Sequence, residues 1–265
     1  MERSTICINT SDRSTPLFVL INSLLIQTCV NFDIVVVDDG VGRAMTDVDL
    51  VYFRERFGGI GVRIKYVRNQ SRQGLSASRN IGIDNMSTKI GIFLDDDHIC
   101  DSRFVEFLMG VFEKRDNVGC VGALFPHIEG SIRYESCPPR VFGSLLDDSK
   151  WGDHQRLYYP FMSNADGIYP AIALGGIVAF RIDDRIRKDS RLSFVSHTED
   201  TLFSLRYIQC GYNNYVNIRS LAYHRMIGDG GCRTFPDADA QRARDAEVFK
   251  SEFEKMRPSI EGLKL

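Results

Sequence analysis

The stretch "GIFLDDDHICD", residues 91–101, decides the fold, because an unbroken apolar run leads directly into three aspartates, Asp95, Asp96 and Asp97. Adjacent carboxylates repel one another, and the repulsion grows as water is excluded. A solvated turn is one interpretation, since Asp often bonds its own backbone in turns. The other is a divalent-cation site, because Mg²⁺ and similar ions bind carboxylate oxygens together with substrate phosphates.

The chain before this stretch predicts alternating strands and helices. Helices are expected over residues 14–28 and 75–86, with a further helix between the second and third strands. The expected strands are "STICI" at 4–8, "FDIVVV" at 32–37, "VRIKYV" at 62–67 and "KIGIFL" at 89–94. This alternation is typical of a doubly wound α/β sheet, in which ligands bind beyond the carboxyl ends of the strands.

A second acidic strand end supports a ligand site over an ordinary turn. The strand at 32–37 stops at Asp38, Asp39 and Gly40, as the strand at 89–94 stops at the aspartate triplet. Parallel strands place their carboxyl ends at one edge of the sheet, so the two groups are expected to lie close together. Clustered ionisable groups in a cleft favour a functional site.

Composition restricts the class of protein. The chain has 265 residues, 43% of them hydrophobic, and a net charge of −2, which gives no electrostatic reason to expect nucleic acid as a partner. Seven cysteines without a CxxC pair indicate neither a zinc ribbon nor a disulfide framework. The longest apolar stretch, residues 17–26, is too short for a membrane span, and the first residues contain no signal-peptide core. We expect a cytoplasmic protein, with peripheral attachment to the inner membrane face as an alternative.

The second half of the chain is less regular. Helices are predicted over 101–115, 197–211 (capped by Thr198) and 237–256, and strands over 118–126, 174–181 and 212–225, the last ending at His224. Between them lie the loop-rich segment 127–170, which contains Trp151, and the glycine-rich segment 226–235. Long irregular segments are typical of substrate loops, and 226–235 is predicted to close over a bound ligand.

Five segments, taken in order, resemble the family 2 glycosyltransferases of the GT-A fold. The ordered set covers about residues 4–225 and is more specific than any single motif; its members are "LINSLLIQTCVNFDIVVVDDG", "RQGLSASRNIGI", "IFLDDDH", "GGIVAFR" and "EDTLFSLRYIQCGY". The resemblance implies an α/β fold with a mixed, mostly parallel sheet and helices on both faces. It also implies inverting transfer of a sugar from a nucleoside diphosphate donor, with a divalent metal at a D-x-D element.

The resemblance also implies a division of the chain. Residues 1–235 would form the GT-A catalytic domain, with a nucleotide-sugar-binding half at 1–97 and an acceptor half at 98–235. Residues 236–265 would form a C-terminal helical tail. No Q-x-x-R-W motif follows the "ED" helix, so the expected reaction is addition of a single sugar to a hydroxyl of a saccharide, lipid-linked or small-molecule acceptor.

The predicted donor site lies at the ends of the first two strands and at the following helix. A carboxylate of Asp38 or Asp39 can accept the N3–H of uracil or thymine, a proton that cytosine lacks, so a UDP- or dTDP-sugar is favoured. By resemblance the loop from Thr10 to Arg13 meets the nucleoside, although Ser11 stands where relatives often have an aromatic residue. The donor-binding candidates are Thr10, Asp12, Asp38, Asp39, Gly74, Arg79, Asp95 and Asp96. As alternatives, Asp38 is a turn former and Arg79 a surface ion-pair residue.

The predicted metal ligands are Asp97 and His224, binding Mn²⁺ or Mg²⁺. In this interpretation the metal and the donor's pyrophosphate compensate the charge of the aspartate triplet, and the site is expected to be loose without metal. His224 resembles the histidine that some family members add as a ligand. Its alternative interpretation is an ordinary loop histidine.

Asp200, in "HTED", is the predicted catalytic base. Direct displacement at the anomeric carbon needs an ionised carboxylate that accepts the acceptor's proton. Alternatively, an acidic residue in the first helical turn simply favours the helix dipole. Glu199 and His197 are the next candidates for the base, and the acceptor-binding candidates are Trp151, Gly176 and Glu199.

Two other functions remain open at this point. A sugar nucleotidyltransferase would be expected to carry a glycine-rich basic signature after the first strand, where "NTSDRSTP" supplies only Arg13. A non-catalytic nucleotide- or carbohydrate-binding domain could share the same fold. Slow hydrolysis of the donor distinguishes a transferase from a binding domain.

Overall fold

The computed structural model describes residues 1–126, 143–144, 166–225 and 237–261. These residues contain six helices: α1 (Ser14–Leu24), α2 (Asp47–Gly58), α3 (Leu75–Asp84), α4 (Phe104–Lys114), α5 (Glu199–Gln209) and α6 (Ala238–Glu261). None of the helices in this part of the chain is long and apolar enough to cross a lipid bilayer.

The strands of the described residues form one large sheet and one small one. They are β1 (Ser4–Thr10), β2 (Phe32–Asp38), β3 (Ile64–Arg68), β4 (Ile90–Asp95), β5 (His98–Cys100), β6 (Val118–Leu124), β7 (Gly143–Ser144), β8 (Ile168–Ala171), β9 (Ala173–Leu174), β10 (Val178–Arg181) and β11 (Asn213–His224). The large sheet has the order β3-β2-β1-β4-β10-β6-β11-β5, with β8 also paired to β11, and β7 pairs with β9.

The sheet is mixed, as the sequence predicts. Strands β1 to β4 are parallel, β10 runs antiparallel between β4 and β6, and β11 is parallel to β6. The carboxyl ends of β1, β2, β4 and β11 therefore lie at one edge. In the register of the sheet Thr10 is opposite Asp38, and Asn9 is opposite Asp95.

Helices cover both faces of the sheet because side chains alternate along each strand. Ile6 and Ile8 of β1 point into a core formed with α1, α2 and α4, whereas Cys7 between them points into a second core formed with α3 and α5. Burial of apolar area in these two layers supplies most of the favourable free energy of folding. The predicted helices and strands of the first hundred residues are confirmed.

The structure adds four short strands and details a helix start. Strands β5, β7, β8 and β9 were not predicted as separate strands; β7 lies within the segment expected to be a loop, and β8 lies at its end. Thr198 lies at the N-cap of α5 as predicted, but its side chain makes no capping bond. Its hydroxyl bonds the carbonyl oxygen of His197, and its backbone is left-handed, with φ +67°.

The C-terminal helix packs against α5. Apolar side chains of the two helices form a third core, whose members include Leu202, Leu205, Phe253, Met256 and Ile260. The proposed boundary at residue 235 stays a prediction. The contact nevertheless places α6 beside the helix that begins at Glu199 and Asp200.

Strand β11 is interrupted near its carboxyl end. Asn217 pairs with Ala123 of β6 and Leu221 with the next residue, Leu124, so three residues of β11 bulge out of the ladder. Asn217 and Ser220 donate side-chain hydrogen bonds to carbonyl oxygens of α4 at 2.8 and 2.9 Å. Beyond the bulge, His224 pairs with His98 of β5.

Candidate active site

Asp38 holds its own loop together. Its buried carboxylate accepts hydrogen bonds from the backbone nitrogens of Gly40 at 2.9 Å and Ala44 at 2.8 Å, and from the hydroxyl of Tyr66. Burial and this carboxylate raise the pKa of Tyr66 to about 12, so that its proton stays in place. A Cβ at residue 40 would lie 2.7 Å from the backbone nitrogen of Asp12, so only glycine fits there.

Asp39 is half-buried and fixes the turn into α3. Its oxygens accept hydrogen bonds from the Asn69 side-chain amide at 2.7 Å, the Gln73 backbone at 2.8 Å and the Gly74 backbone at 2.9 Å. Gly74 has φ +85°, and a Cβ there would lie 2.8 Å from the Cα of Phe194. Only glycine therefore fits at residue 74, which was predicted as a donor-binding residue and here forms the turn into α3.

Asp12 ties the loop after β1 to its neighbours. Its carboxylate accepts a hydrogen bond from the backbone of Gly42 at 2.9 Å and forms an ion pair with Arg72. Its own φ is +57°, a left-handed conformation that Asp tolerates better than most residues. The loops after β1, β2 and β3 are thus connected to one another by the carboxylates of Asp12, Asp38 and Asp39.

Each aspartate of the triplet faces a cationic side chain. Arg79 binds Asp95 at 2.7 Å, and Arg13 binds both Asp96 at 3.1 Å and Asp97 at 3.2 Å. The chain itself therefore supplies part of the charge compensation that the sequence analysis assigned to a metal and a pyrophosphate.

Two further contacts complete the environment of Asp96 and Asp97. Asp96 accepts a hydrogen bond from the Thr10 hydroxyl at 2.7 Å, while His224 Nε2 lies 3.2 Å from an oxygen of Asp97. Burial raises the pKa of Asp96 to about 7, against the opposing effect of Arg13. Burial also opposes ionisation of Asp97, but the contacts with His224, His98 and Arg13 outweigh it and hold its pKa well below the usual range.

Two stacked histidines lie beside the triplet. The rings of His98 and His224 are 4.6 Å apart and nearly parallel, and His98 Nδ1 lies 3.1 Å from the carbonyl oxygen of Asp95. Burial lowers the pKa of His98, which favours a neutral ring. The β5–β11 pairing therefore brings His224 to the aspartates, as the sequence analysis expects for a ligand.

Asp200 belongs to a buried cluster of opposite charges. One of its oxygens binds Lys188 Nζ at 2.8 Å and the guanidinium of Arg79. The other accepts a hydrogen bond from the backbone of Gly176 at 2.9 Å. Glu199 pairs with the same two cations.

Lys188 is fully buried between aromatic rings and carboxylates. Its ammonium lies 5.0 Å from the centre of the Phe93 ring and 4.4 Å from that of Phe203. Burial, with the neighbouring charge of Arg79, lowers its pKa to about 7, although Asp200 acts in the opposite direction. Ring faces stabilise such a cation by about 1–2 kcal/mol.

Exposure distinguishes the two acidic residues at the start of α5. The Asp200 side chain is 17% exposed, whereas that of Glu199 is 3% exposed and enclosed by Arg79 and Lys188. Burial opposes ionisation of Asp200, but Arg79 and Lys188 lower its pKa. Of the two carboxylates, that of Asp200 is the more exposed.

The acceptor-binding candidates have different positions. Gly176 precedes β10 with φ +73°, and a Cβ there would lie 2.7 Å from the ring of Phe125. Glu199 is enclosed in the charge cluster. Trp151 and the segment 226–235 lie outside the described residues.

The donor atoms near His224 fit part of a divalent-cation site. Within residues 1–126, 166–225 and 237–261, no group of three or more His, Cys, Asp or Glu side chains is arranged to hold a metal by itself. Asp97 and His224 offer an oxygen and a nitrogen 3.2 Å apart. Mg²⁺ characteristically uses one or two protein carboxylates and completes its shell with waters and substrate phosphates, so two protein ligands are compatible with such a site.

Sequence reasoning missed the two cations that organise the site. Arg13 was expected only as the end of the loop that meets the nucleoside and as an isolated basic residue, and its partners Asp96 and Asp97 lie 83 and 84 positions away. Lys188 belongs to the charged stretch "RIDDRIRKDSR", residues 181–191, and nothing in this sequence distinguishes it from charged residues that are exposed to solvent. Its burial depends on β4 and α5 packing around it, which residue types alone do not reveal.

The fold and the site define the class of protein. A solved structure of GalNAc-T7 with UDP, GalNAc and Mn²⁺ matches 96% of this chain and 48% of that chain, with a TM-score of 0.75 and 20% identity. Residues 1–349 of TarS from S. aureus match 99% of this chain and 66% of that chain, with a TM-score of 0.58 and 13% identity. The chain has the GT-A glycosyltransferase fold.

The family follows from the sequence comparison. The model of glycosyl transferase family 2 matches residues 5–163, so the chain belongs to this family. A glycosyltransferase of Haemophilus influenzae is 31% identical over 103 residues, which are 39% of this chain and 30% of that protein. Glycosyltransferase GlyA of Streptococcus pneumoniae is 36% identical over 88 residues, 33% of this chain and 12% of that protein. The chain thus matches less than a third of the length of either relative.

Proposed function

We propose that this chain is an inverting glycosyltransferase that moves one sugar from a nucleoside diphosphate donor to an acceptor hydroxyl. One observation carries the proposal: the buried guanidinium of Arg79 binds both Asp95, at the end of β4, and Asp200, at the start of α5. Arg79 therefore connects the expected donor-binding residues with the expected catalytic base. Family membership supports the sugar-transfer chemistry.

The donor is proposed to be a UDP- or dTDP-sugar read by Asp39. Both Asp38 and Asp39 already accept three hydrogen bonds, but only Asp39 is partly exposed. A carboxylate offers about four lone-pair directions, so Asp39 keeps one for the N3–H of a pyrimidine ring. The similar fold of GalNAc-T7, solved with UDP, supports this choice.

Asp97 and His224 are proposed to hold Mn²⁺ or Mg²⁺, with Asp95 and Asp96 beside the donor. When bound, the metal would stabilise the negative charge of the leaving nucleoside diphosphate. Arg13 forms ion pairs with Asp96 and Asp97. It is proposed to bind donor phosphate oxygens as well. Thr10 holds Asp96 in position through its 2.7 Å hydrogen bond.

Asp200 is proposed to act as the general base. The acceptor oxygen attacks the anomeric carbon on the face opposite the nucleoside diphosphate, which leaves as its bond to the sugar breaks. This direct displacement inverts the anomeric configuration. The proton of the acceptor hydroxyl passes to Asp200. Arg79 and Lys188 keep Asp200 ionised, and the Gly176 N–H fixes one of its oxygens. The partial exposure of Asp200 favours it over Glu199 for this role.

The first prediction is that Asp200→Asn separates binding from chemistry. The amide keeps the shape of the side chain but cannot take the acceptor's proton, so transfer should fall by about 10²–10⁴-fold while donor affinity stays within a few-fold. Single-turnover assays and nucleotide titrations measure the two quantities. Asp184→Asn, at an exposed carboxylate, serves as the matched control. Near-normal turnover of Asp200→Asn with saturating acceptor would place the base elsewhere.

A panel of nucleotides tests the proposed donor. UDP and dTDP, each with and without Mn²⁺, are compared with CDP and GDP by thermal unfolding, and slow hydrolysis of the matching nucleotide-sugar is then measured. Metal-dependent stabilisation by UDP or dTDP together with donor hydrolysis supports a transferase. Stabilisation without hydrolysis or transfer would favour a binding domain, and formation of a nucleotide-sugar from a triphosphate would favour a nucleotidyltransferase.

A further inference from the structure

The segment that leads into α5 has an unfavourable backbone. Ser196 has φ +51° and Thr198 has φ +67°, and neither is glycine. Left-handed conformations at such residues are strained and persist only where the surroundings impose them. Thr198 makes no side-chain capping bond. Contacts from elsewhere must therefore hold the turn that delivers Asp200 to the cleft.

Asp245 of α6 supplies those contacts. Its side chain is 1% exposed and accepts three hydrogen bonds, from the Ser193 backbone at 2.6 Å, the Ser193 hydroxyl at 2.7 Å and the His197 backbone at 2.7 Å. One turn earlier on the same helix, Gln241 accepts a hydrogen bond from the backbone of Val195 at 3.2 Å. Two α6 side chains thus bind three backbone N–H groups of residues 193–197.

The same segment contacts the turn that Asp39 binds. The Ser196 hydroxyl accepts a hydrogen bond from the Ser76 backbone at 3.1 Å. The carbonyl oxygen of Phe194 accepts another, from the backbone of Leu75, at 3.3 Å. Phe194 also packs so closely on residue 74 that only glycine fits there. Residues 193–198 therefore lie between the donor-side turn and the base.

The position of α6 is fixed independently of these polar contacts. Phe253 and Met256 pack on Leu202 and Leu205 of α5. Nearer the carboxyl end than Asp245, Glu252 forms an ion pair with Arg191 at 2.9 Å. A helix anchored at its far end can hold Asp245 against the strained turn with little freedom to shift.

We propose that Asp245 is a positioning residue for Asp200 and that it acts by holding residues 193–197, which lead into α5. The proposal rests on the function proposed above, because Asp245 acts through the base. Misplacing a catalytic group by about 1 Å can cost up to about 10²-fold in rate. An amide at residue 245 has one oxygen instead of two and turns an N–H₂ group towards a backbone donor, so it cannot keep all three bonds.

A double-mutant cycle on transfer tests the coupling. Asp245→Asn should lower kcat by about 10–100-fold with little change in donor affinity, and it should have almost no further effect in an Asp200→Asn background. Ser193→Ala, which removes only one of the three bonds, is the milder variant and should show the same pattern with a smaller loss. Asp239→Asn, on the same helix but 96% exposed, is the matched control and should behave as wild type.

Hydrogen exchange tests the contact without any assay of activity. Amides of residues 193–200 should exchange at least about tenfold faster in Asp245→Asn than in Asp239→Asn, while those of β1 and β4 stay unchanged. Equal exchange at 193–200, or multiplicative losses in the double mutant, would overturn the proposal. Wild-type protein that transfers no sugar would overturn the proposed function instead, and the exchange measurement would still decide whether Asp245 holds the turn.

Discussion

The two acidic strand ends look alike in sequence but bind different kinds of partner. Asp38 and Asp39 accept hydrogen bonds mainly from backbone nitrogens of neighbouring loops. Asp95, Asp96 and Asp97 instead face the side chains of Arg79, Arg13 and His224. The first group closes loops, whereas the second is balanced by the charges of side chains from other elements.

This difference determines how easily each carboxylate can exchange its present partners for a ligand. A carboxylate that accepts backbone N–H groups cannot release them without opening the loop, because buried donors left without acceptors cost about 1–3 kcal/mol each. An arginine or histidine can turn away and leave its carboxylate to a cation. We therefore expect substitution of Asp38, which is fully buried, to reduce folding stability, and substitution of Asp97 to reduce ligand binding.

The largest expected effect on stability is at Asp38. Asp38→Ala leaves the N–H groups of Gly40 and Ala44 and the Tyr66 hydroxyl without their acceptor. The free energy of unfolding should fall by about 3 kcal/mol, as measured by chemical denaturation. Asp84→Ala, at an exposed position, is the control. A loss below about 1 kcal/mol would mean that the loop does not depend on this carboxylate.

The next effect is the loss of ligand response at Asp97. Wild-type protein with UDP and Mn²⁺ at a hundredfold excess over Kd should gain about 2.7 kcal/mol of stability. Asp97→Ala should lose that gain, while the unfolding free energy without ligand changes by less than about 1 kcal/mol, since relief of repulsion from Asp96 offsets the lost partners. Asp47→Ala, an exposed Asp that also pairs with an arginine, is the control. The prediction would be contradicted if UDP stabilised the wild-type protein equally in EDTA. It would also be contradicted if Asp97→Ala greatly lowered the free energy of unfolding without ligand.

The smallest effect concerns a carboxylate far from the cleft. Burial opposes ionisation of Asp33, but hydrogen bonds from Arg3 and Arg63 outweigh it and hold its pKa well below the usual range. A depressed folded-state pKa stabilises the protein above the unfolded pKa of about 4, and this contribution is lost as the pH falls below that value.

Asp33→Asn should therefore be less stable than wild type by about 1 kcal/mol at pH 7, a value discounted for the exposure of both arginines. The difference should shrink as the pH falls from 5 towards 2. Urea denaturation across this pH range measures it. A difference that does not vary with pH would show that the ion pairs are not its source.

The acidic strand ends were predictable because two regularities coincide. Apolar runs such as 32–37 and 89–94 mark buried strands, and the carboxyl ends of parallel strands share one edge. The fold and the family are confirmed, while the roles of Asp97, Asp200 and His224 stay predictions. The structure brings Asp97 and His224 together at this edge, and Arg79 connects Asp95 to Asp200.

The cations and Asp245 were not predictable for the opposite reason. Arg13 reaches Asp96 and Asp97 across 83 and 84 positions, and Asp245 reaches Ser193 across 52. Nothing local distinguishes them, because a charged residue on a helix is usually solvated. The helix 237–256 was predicted, but its carboxylate at residue 245 becomes a buried acceptor only through contacts that the whole fold creates.

The bulge in β11 affects how the protein can accommodate changes in chain length. Side chains alternate along a strand, so one inserted residue normally turns every later side chain to the opposite face. In β11 the three residues after Asn217 lie outside the ladder, and the pairing starts again at Leu221. An insertion or deletion before Leu221 can be taken up in the bulge, and His224 keeps its register with His98. The number of residues in β11 can therefore change at the bulge while His224 stays beside the aspartates.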